Sequence, residues 1–311
     1  MEEIIYEACL KENEQLNHSY QIQSVMSASD LSIVYLAQGI ENEKSVVIKE
    51  FFPKSLVNRD LDDRTLLCRY STNKKKCNEL KQSFLEEVNF LRRLSHPNII
   101  QYIDHFEENG TVYLVMEYCQ GETMERYIQR KDSFQFSTFL KEVYLPLINT
   151  LHYVHSQGII HRDIKPKNIL IDQEGNPKLI DFGSATSLET NSNKQIFTTK
   201  GYSPLELYSN QSQQGVYSDI YSMAAIIYYI VVGQPPVDAP SRVIEDKMES
   251  INRKDLNLSP WFAKKIMKSL SVHYQERPDS IASFIPVIKL EYTLFNIRNR
   301  FLKPSKKPDF N

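Results

Sequence analysis

Hydrophobic positions in the N-terminal third of the chain recur about every second residue, in short runs rich in β-branched and aromatic side chains. Leu31–Ala37 (LSIVYLA) and Ser45–Phe51 (SVVIKEF) are two such runs, separated by the polar stretch IENEK. This spacing predicts an antiparallel hairpin. The period then changes: Phe84, Val88, Leu91 and Leu94 fall at helical spacing within Ser83–Ser95, with charges between them. That helix should stop at His96-Pro97, because the residue before proline disfavours the helical region. Two further strands are predicted around Ile99–His105 and Thr111–Glu117. From about Ser137 the pattern is helical again, and LKEVYLPLINTLHYVHSQ ends at Gly158, a residue suited to closing a helix. Met223–Gly233 is the longest strongly apolar run. It has about half the ~20 residues that a membrane span needs, so it reads as a buried core helix.

Strands first and helices after them imply an α+β, bilobal protein. The β-rich N-lobe should cover about residues 20–117 and the helical C-lobe about 122–290, with a hinge near Glu117–Gly121. Residues 1–19 read as an N-terminal extension. Pro53–Gln82, with its basic cluster Lys74-Lys75-Lys76, reads as a solvated insertion of unusual length.

Composition narrows the class. Hydrophobic residues make up 41% and charged residues 24%, which excludes wholesale disorder. Lys and Arg number 37 against 39 acids, so there is no basic excess of the kind a dedicated nucleic-acid binder carries. Cys9, Cys68, Cys77 and Cys119 are scattered with no CxxC pair, which argues against a zinc site and fits a reducing compartment. The opening MEEIIYEACL has acids where a signal peptide needs bases. A cytoplasmic protein without integral membrane association is expected, with delivery into another cell left open.

The densest chemistry lies in His161-Arg162-Asp163-Ile164-Lys165-Pro166-Lys167-Asn168, followed thirteen residues later by Asp181-Phe182-Gly183. An Asn amide and an Asp carboxylate suit Mg²⁺, a hard ion usually shared with substrate phosphates. A second carboxylate can orient a hydroxyl and accept its proton, and a nearby lysine can offset charge on a transferring phosphoryl group. The hairpin IDQEGNPKLI should bring Asp163, Asn168 and Asp181 to one edge of a short sheet.

These blocks resemble the eukaryotic-type protein kinase family, with HRD-x-K-x-x-N and DFG complete. The resemblance runs from about Tyr20 to Leu290. It implies ATP bound between two lobes, Mg²⁺ or Mn²⁺, and a protein substrate with a Ser or Thr acceptor. Asp163 would then be the catalytic carboxylate, Lys165 would stabilise the phosphoryl, and Asn168 and Asp181 would hold the metal. Val46-Val47-Ile48-Lys49 matches the strand lysine, so Lys49 would hold phosphates, paired with Glu87 (Glu86 competes). Met116 resembles the gatekeeper, and Glu117 to Cys119 the hinge that offers backbone groups to adenine. Val34, Val47 and Leu170 would line the adenine site. KGYSPLE stands where the family's APE motif would be, with Glu206 expected to pair with Arg277. Asp219 would tie the central helix to the catalytic loop. Lys165 and Thr199 match serine/threonine members, and IKEFFP resembles a bacterial group of them.

One departure stands out. The glycines of G-x-G-x-x-G-x-V would fall at Ser27, Ser29 and Ser32, all serine here. Serine keeps the backbone N–H groups but adds bulk and restricts φ, so weaker nucleotide binding or a slower closing loop is expected, not loss of function. This feeds the alternative of a nucleotide-binding pseudokinase or scaffold. A small-molecule phosphotransferase would lack the DFG, APE-like and central-helix set.

Arg162 could pair with a phosphate on the activation loop, where Thr186, Ser187, Thr190, Thr198 and Thr199 are candidate acceptors for autophosphorylation. At the other end, Leu290, Leu294, Ile297 and Phe301 fall on one helical face. Residues 289–311 carry six Lys/Arg against two acids. Residues 291–311 thus read as a basic amphipathic tail, whose apolar face is expected to pack on the C-lobe. An acidic partner or an anionic membrane is the alternative.

Overall fold

The computed structural model describes residues 8–130, 134–189, 197–209, 211–251 and 258–302, with side chains as far as 298. The chain divides into two units, Met1–Gln120 and Gly121–Asn311. The first is built on a six-stranded antiparallel sheet in the order β1-β2-β3-β4-β8-β7. Its strands are β1 (Gln15–Leu16), β2 (Tyr20–Ala28), β3 (Ser32–Gly39), β4 (Ser45–Phe51), β7 (Tyr102–Glu108) and β8 (Thr111–Glu117). The predicted hairpin is β3–β4, with Val34 opposite Lys49 and Leu36 opposite Val47.

Alternation sends each strand's residues to two faces. On one face Ile22, Ile33, Tyr35, Ala37, Val46, Ile48, Tyr113 and Val115 form a core. Two segments read as peripheral are part of it. Residues 8–19 are no loose extension: β1 pairs with β2, and Leu10 and Leu16 are buried in this core. Nor is Pro53–Gln82 a solvated loop. It contributes the hairpin of β5 (Val57–Arg59) and β6 (Leu66–Cys68), with Val57, Leu66 and Cys77 buried in the same core. Helix α1 (Lys74–Arg93) also starts nine residues before the predicted position. Its buried Cys77, Leu80, Phe84, Val88 and Leu91 continue the three-and-four spacing back through the lysines.

The second unit opens with β9 (Gly121–Thr123) and α2 (Met124–Gln129). Helical residues Phe136–Tyr144, π-helical from Phe139, lead directly into α3 (Leu145–Ser156). Gly158 follows at φ +71°, the left-handed conformation glycine takes without steric cost. Two small pairings come next: β10 (Ile159–Ile160) with β13 (Thr186–Ser187), and β11 (Ile169–Asp172) with both β9 and β12 (Pro177–Leu179). Helix α4 (Val216–Val232) has thirteen of seventeen residues buried, which makes it the core helix its composition predicts. Helices α5 (Ala239–Ile244), α6 (Pro260–Ser269) and α7 (Ile285–Leu302) complete the unit.

The tail departs from expectation. In α7 the packed face carries Ile288, Glu291 and Phe295, the last against Phe136 at 6.2 Å between ring centroids. Of the expected apolar face, Leu290 and Ile297 are 42% and 45% exposed and Leu294 is half-buried, so that face packs only in part. Buried Glu291 explains the offset: its carboxylate accepts the Ser259 N–H at 3.0 Å and the Ser259 hydroxyl, just before α6. The Phe301 side chain and residues 303–311 lie outside the described residues. Among the described residues no helix is long and apolar enough to cross a membrane.

Candidate active site

In the first unit, β-sheet register puts Val34, Leu36, Val47, Lys49, Leu114 and Met116 on one face, since directly paired residues share a face. This is the face opposite the core described above. Lys49 Nζ donates to both carboxylate oxygens of Glu87, at 2.7 and 2.9 Å. Glu87 is 2% exposed and sits on the inner side of α1; it is Glu87, and not Glu86, that meets Lys49. Met116 is buried, and the Glu117 N–H is already donated to Gln101 O at 3.0 Å. Cys119 is half-buried.

In the second unit, Asp163 collects three side chains. Its Oδ2 accepts Lys165 Nζ and Asn168 Nδ2, each at 2.8 Å, and its Oδ1 accepts the Thr199 hydroxyl at 3.2 Å. Lys165 also donates to Thr199 Oγ1 at 3.1 Å. The β11–β12 pairing continues one step past its ends, where Ile180 N–H donates to Asn168 O at 3.2 Å. Asp181 is the next residue along the chain, and its Oδ1 accepts the Gly183 N–H at 3.1 Å. Leu170 lies on β11, opposite Thr123 and Lys178.

The donor set fits a magnesium ion shared with phosphates. Asn168 Nδ2 is spent on Asp163 O (2.9 Å) and Oδ2, so the oxygen of the same amide is the atom of this side chain that can ligate a cation. With the Asp181 carboxylate this makes two hard oxygen donors, and Mg²⁺ binds through one or two such groups plus substrate phosphates. Among the described residues no group of three or more His, Cys, Asp or Glu could hold a metal by itself.

A buried frame holds the loop. Asp219, at the start of α4, accepts the His161 N–H at 2.9 Å and the Arg162 N–H at 2.8 Å, and bonds His155 Nε2 at 2.8 Å. Burial pushes its carboxyl up, but His155, His161 and these hydrogen bonds outweigh that and hold it below its ordinary value. The same contacts hold Arg162 at φ +67°, a conformation costing a non-glycine residue about 1–3 kcal/mol. Its guanidinium is buried on neutral acceptors, Ser184 O at 2.6 Å and Gln214 Oε1 at 2.8 Å. His161 is fully buried against the Phe182 ring, and burial lowers its pKa. Farther out, Arg277 and Glu206 form a buried two-pronged ion pair at 2.7 and 3.1 Å.

The candidate activation-loop residues part company. Thr186 is 5% exposed and paired with Ile160 in β13, so it is no accessible acceptor, contrary to expectation. Ser187 is half-buried and takes the Glu189 N–H. Thr199 is committed to Asp163 and Lys165, Thr198 is exposed, and Thr190 lies outside the described residues. Of the three loop serines, Ser27 and Ser29 are exposed and Ser32 is 8% exposed. None has positive φ, so this turn asks for no glycine.

The sequence reasoning missed a second ionic cluster, behind Lys49. Glu50 is completely buried and takes a two-pronged pair from Arg59 at 2.8 and 2.7 Å. The hydroxyls of Tyr35 (2.8 Å) and Tyr113 (3.0 Å) also donate to it. Alternation could have flagged it: Glu50 follows Val46 and Ile48 on the core side, where a charge needs a partner.

Comparison with known proteins places the chain among protein kinases. A family model described as "Protein kinase domain" matches residues 20–285. CBL-interacting serine/threonine-protein kinase 7 of Arabidopsis thaliana is 25% identical over 277 residues, 88% of this chain and 59% of that protein. Serine/threonine-protein kinase PrkC of Bacillus subtilis (strain 168) is 30% identical over 233 residues, 74% of this chain and 33% of that one. Sperm motility kinase 2B of Mus musculus is 32% identical over 158 residues, 50% and 32% of the two chains. The chain matches from about a third to three-fifths of the length of these relatives. A solved structure titled "PpkA-294 apo form" is similar with a TM-score of 0.78 and 27% identity, covering 90% of this chain and 99% of that one.

Proposed function

The chain belongs to the protein kinase family, and on that premise we propose that it transfers the γ-phosphate of ATP to serine or threonine hydroxyls of proteins. The observation that carries this is the cluster in which one carboxylate, Asp163, holds Lys165, Asn168 and Thr199 within 3.2 Å. Asp163 would orient the acceptor hydroxyl and take its proton, with Lys165 beside it to offset charge on the phosphoryl group. Lys49, locked by Glu87, would position the ATP phosphates. Asn168 and Asp181 would hold Mg²⁺, which when bound neutralises charge on those phosphates. Catalysis of this kind is mostly positioning and electrostatics. Val34, Val47 and Met116 of the first unit would offer apolar surface to adenine and the backbone of Glu117–Cys119 its polar groups, and Leu170 of the second unit would add apolar surface of its own.

Lys165 and Thr199 support serine/threonine selectivity, as do the names of the relatives. Autophosphorylation would fall on Thr198 in preference to Thr186, because only the former is exposed. The four cysteines, none in a disulfide, fit the reducing, ATP-supplied cytoplasm.

The test is transfer of labelled phosphate from Mg-ATP to the protein itself and to a generic basic protein, beside Asp181→Ala. Transfer to serine and threonine that disappears in the variant is the expected result. No transfer under any condition, with ATP still raising the melting temperature, would replace it with a nucleotide-binding pseudokinase. Serine at all three glycine positions of the loop, Ser27, Ser29 and Ser32, is the observation that favours that second reading.

A further inference from the structure

The β2–β3 turn is fastened by its own side chain. Ser29 Oγ accepts the N–H groups of Leu31 (3.3 Å) and Ser32 (3.1 Å), and lies 3.1 Å from Ser32 Oγ and 3.2 Å from Ser32 O. The Ser29 N–H donates to Ser32 O at 2.8 Å, closing the turn from the other side. Its tip is strapped to the chain after β4: Phe52 N–H donates to Leu31 O at 2.8 Å and Lys54 N–H to Asp30 O at 3.0 Å. A phosphate-cradling loop works by offering unpaired backbone N–H groups to anionic oxygens. Here two of those N–H groups already have an oxygen, from a residue where the family has glycine and therefore no side chain.

Granted that the protein binds ATP as a kinase, we propose that the Ser29 hydroxyl occupies phosphate-loop amides in the nucleotide-free protein, so that ATP binds only by displacing it. Ser29 then sets nucleotide affinity through an autoinhibitory contact made within the loop. The exchange is unequal in ATP's favour, because a charged phosphate oxygen is the stronger acceptor. It nevertheless subtracts from affinity what the two neutral hydrogen bonds contribute. Removing the hydroxyl should raise ATP affinity about tenfold, equal to ~1.4 kcal/mol. Ordering the freed loop on binding offsets the remainder.

The experiment is calorimetric titration of the full chain with Mg-ATP and with adenosine, in wild type, Ser29→Ala and Ser29→Thr. Tighter ATP binding in Ser29→Ala alone, with adenosine affinity unchanged, is expected, because adenosine has no phosphate to compete for the amides. ATP affinity equal in all three proteins would overturn the proposal. So would a gain shared by adenosine, which would locate the effect at the base. Amide hydrogen exchange in the nucleotide-free proteins reads the contact independently of binding. Leu31 and Ser32 should exchange faster in Ser29→Ala than in wild type; equal rates would overturn the latch even if ATP binds. Slower exchange in wild type with no ATP binding by any of the proteins would keep the contact, sink the kinase assignment, and overturn Ser29 as an affinity determinant.

Discussion

Replacing Arg59 with methionine tests whether the hairpin read as an insertion is part of the fold. Arg59 places both guanidinium arms on Glu50 and donates from Nε to Ala8 O at 2.8 Å and from Nη1 to Arg64 O at 2.7 Å. One side chain thus joins the N-terminal segment, the β5–β6 hairpin and the central strand β4. Side-chain exposure is 7% for Arg59 and 0% for Glu50, so no water replaces the lost partner. Removing one member of a buried pair costs about 3–5 kcal/mol, because the other charge stays buried. The low end applies here, since Tyr35 and Tyr113 still donate to Glu50. Burial and the Glu50 charge push both phenols well above their ordinary pKa, so they remain protonated donors. About 3 kcal/mol is a large part of a typical 5–15 kcal/mol stability and should lower the melting temperature of a chain of this length by roughly 5 °C. Urea unfolding of wild type, Arg59→Met, Glu50→Gln and the double variant gives the coupling directly. The double variant should lose less than the sum of the singles. An Arg59→Met protein within about 0.5 kcal/mol of wild type, the range of an ordinary surface change, would refute the account.

Other outcomes follow from the same physics. Glu206→Ala should cost about 3–5 kcal/mol by stranding Arg277, with Glu206→Gln milder, as read from denaturant midpoints. Gly121→Ala would place a Cβ 2.2 Å from Ile171 O, so β9 must part from β11; a loss of about 1–3 kcal/mol is expected in the same assay. Burial lowers the pKa of His161 from its ordinary value of 6.5. Between the folded and unfolded pKa values the unfolded chain therefore binds more protons. Stability from this group is complete above about pH 6.5 and falls as the pH drops below it. Urea midpoints measured from about pH 8 to pH 5 should show this decline, and His161→Phe, which keeps a ring against Phe182, should flatten it.

Much of the site could be read in the chain because its parts are close in sequence. Asp163, Lys165 and Asn168 lie within six residues, and a hairpin with a recognisable turn brings Ile180, the neighbour of Asp181, back to Asn168. The strand alternation around Lys49 and the helical spacing around Glu87 were likewise local. The spacing to His96-Pro97 is local too, and Glu87 is the residue that meets Lys49. The role of Thr199 is not local, because its bonds to Asp163 and Lys165 span more than thirty residues.

What the sequence by itself determined were the elements and chemistry set by near neighbours: the β3–β4 hairpin, the core helix α4, and the family to which the motifs belong. Tertiary structure decided where the long-range partners fall. It drew residues 8–19 and the β5–β6 hairpin into the core, turned α7 so that Ile288, Glu291 and Phe295 pack inward while Leu290 and Ile297 stay exposed, and buried Thr186 in β13. It also closed the serine turn on its own amides. The physical reason is common to all of these. Periodicity reports which side of an element is apolar, whereas a buried charge or a spare N–H group is satisfied by whichever partner the folded chain brings within about 3 Å.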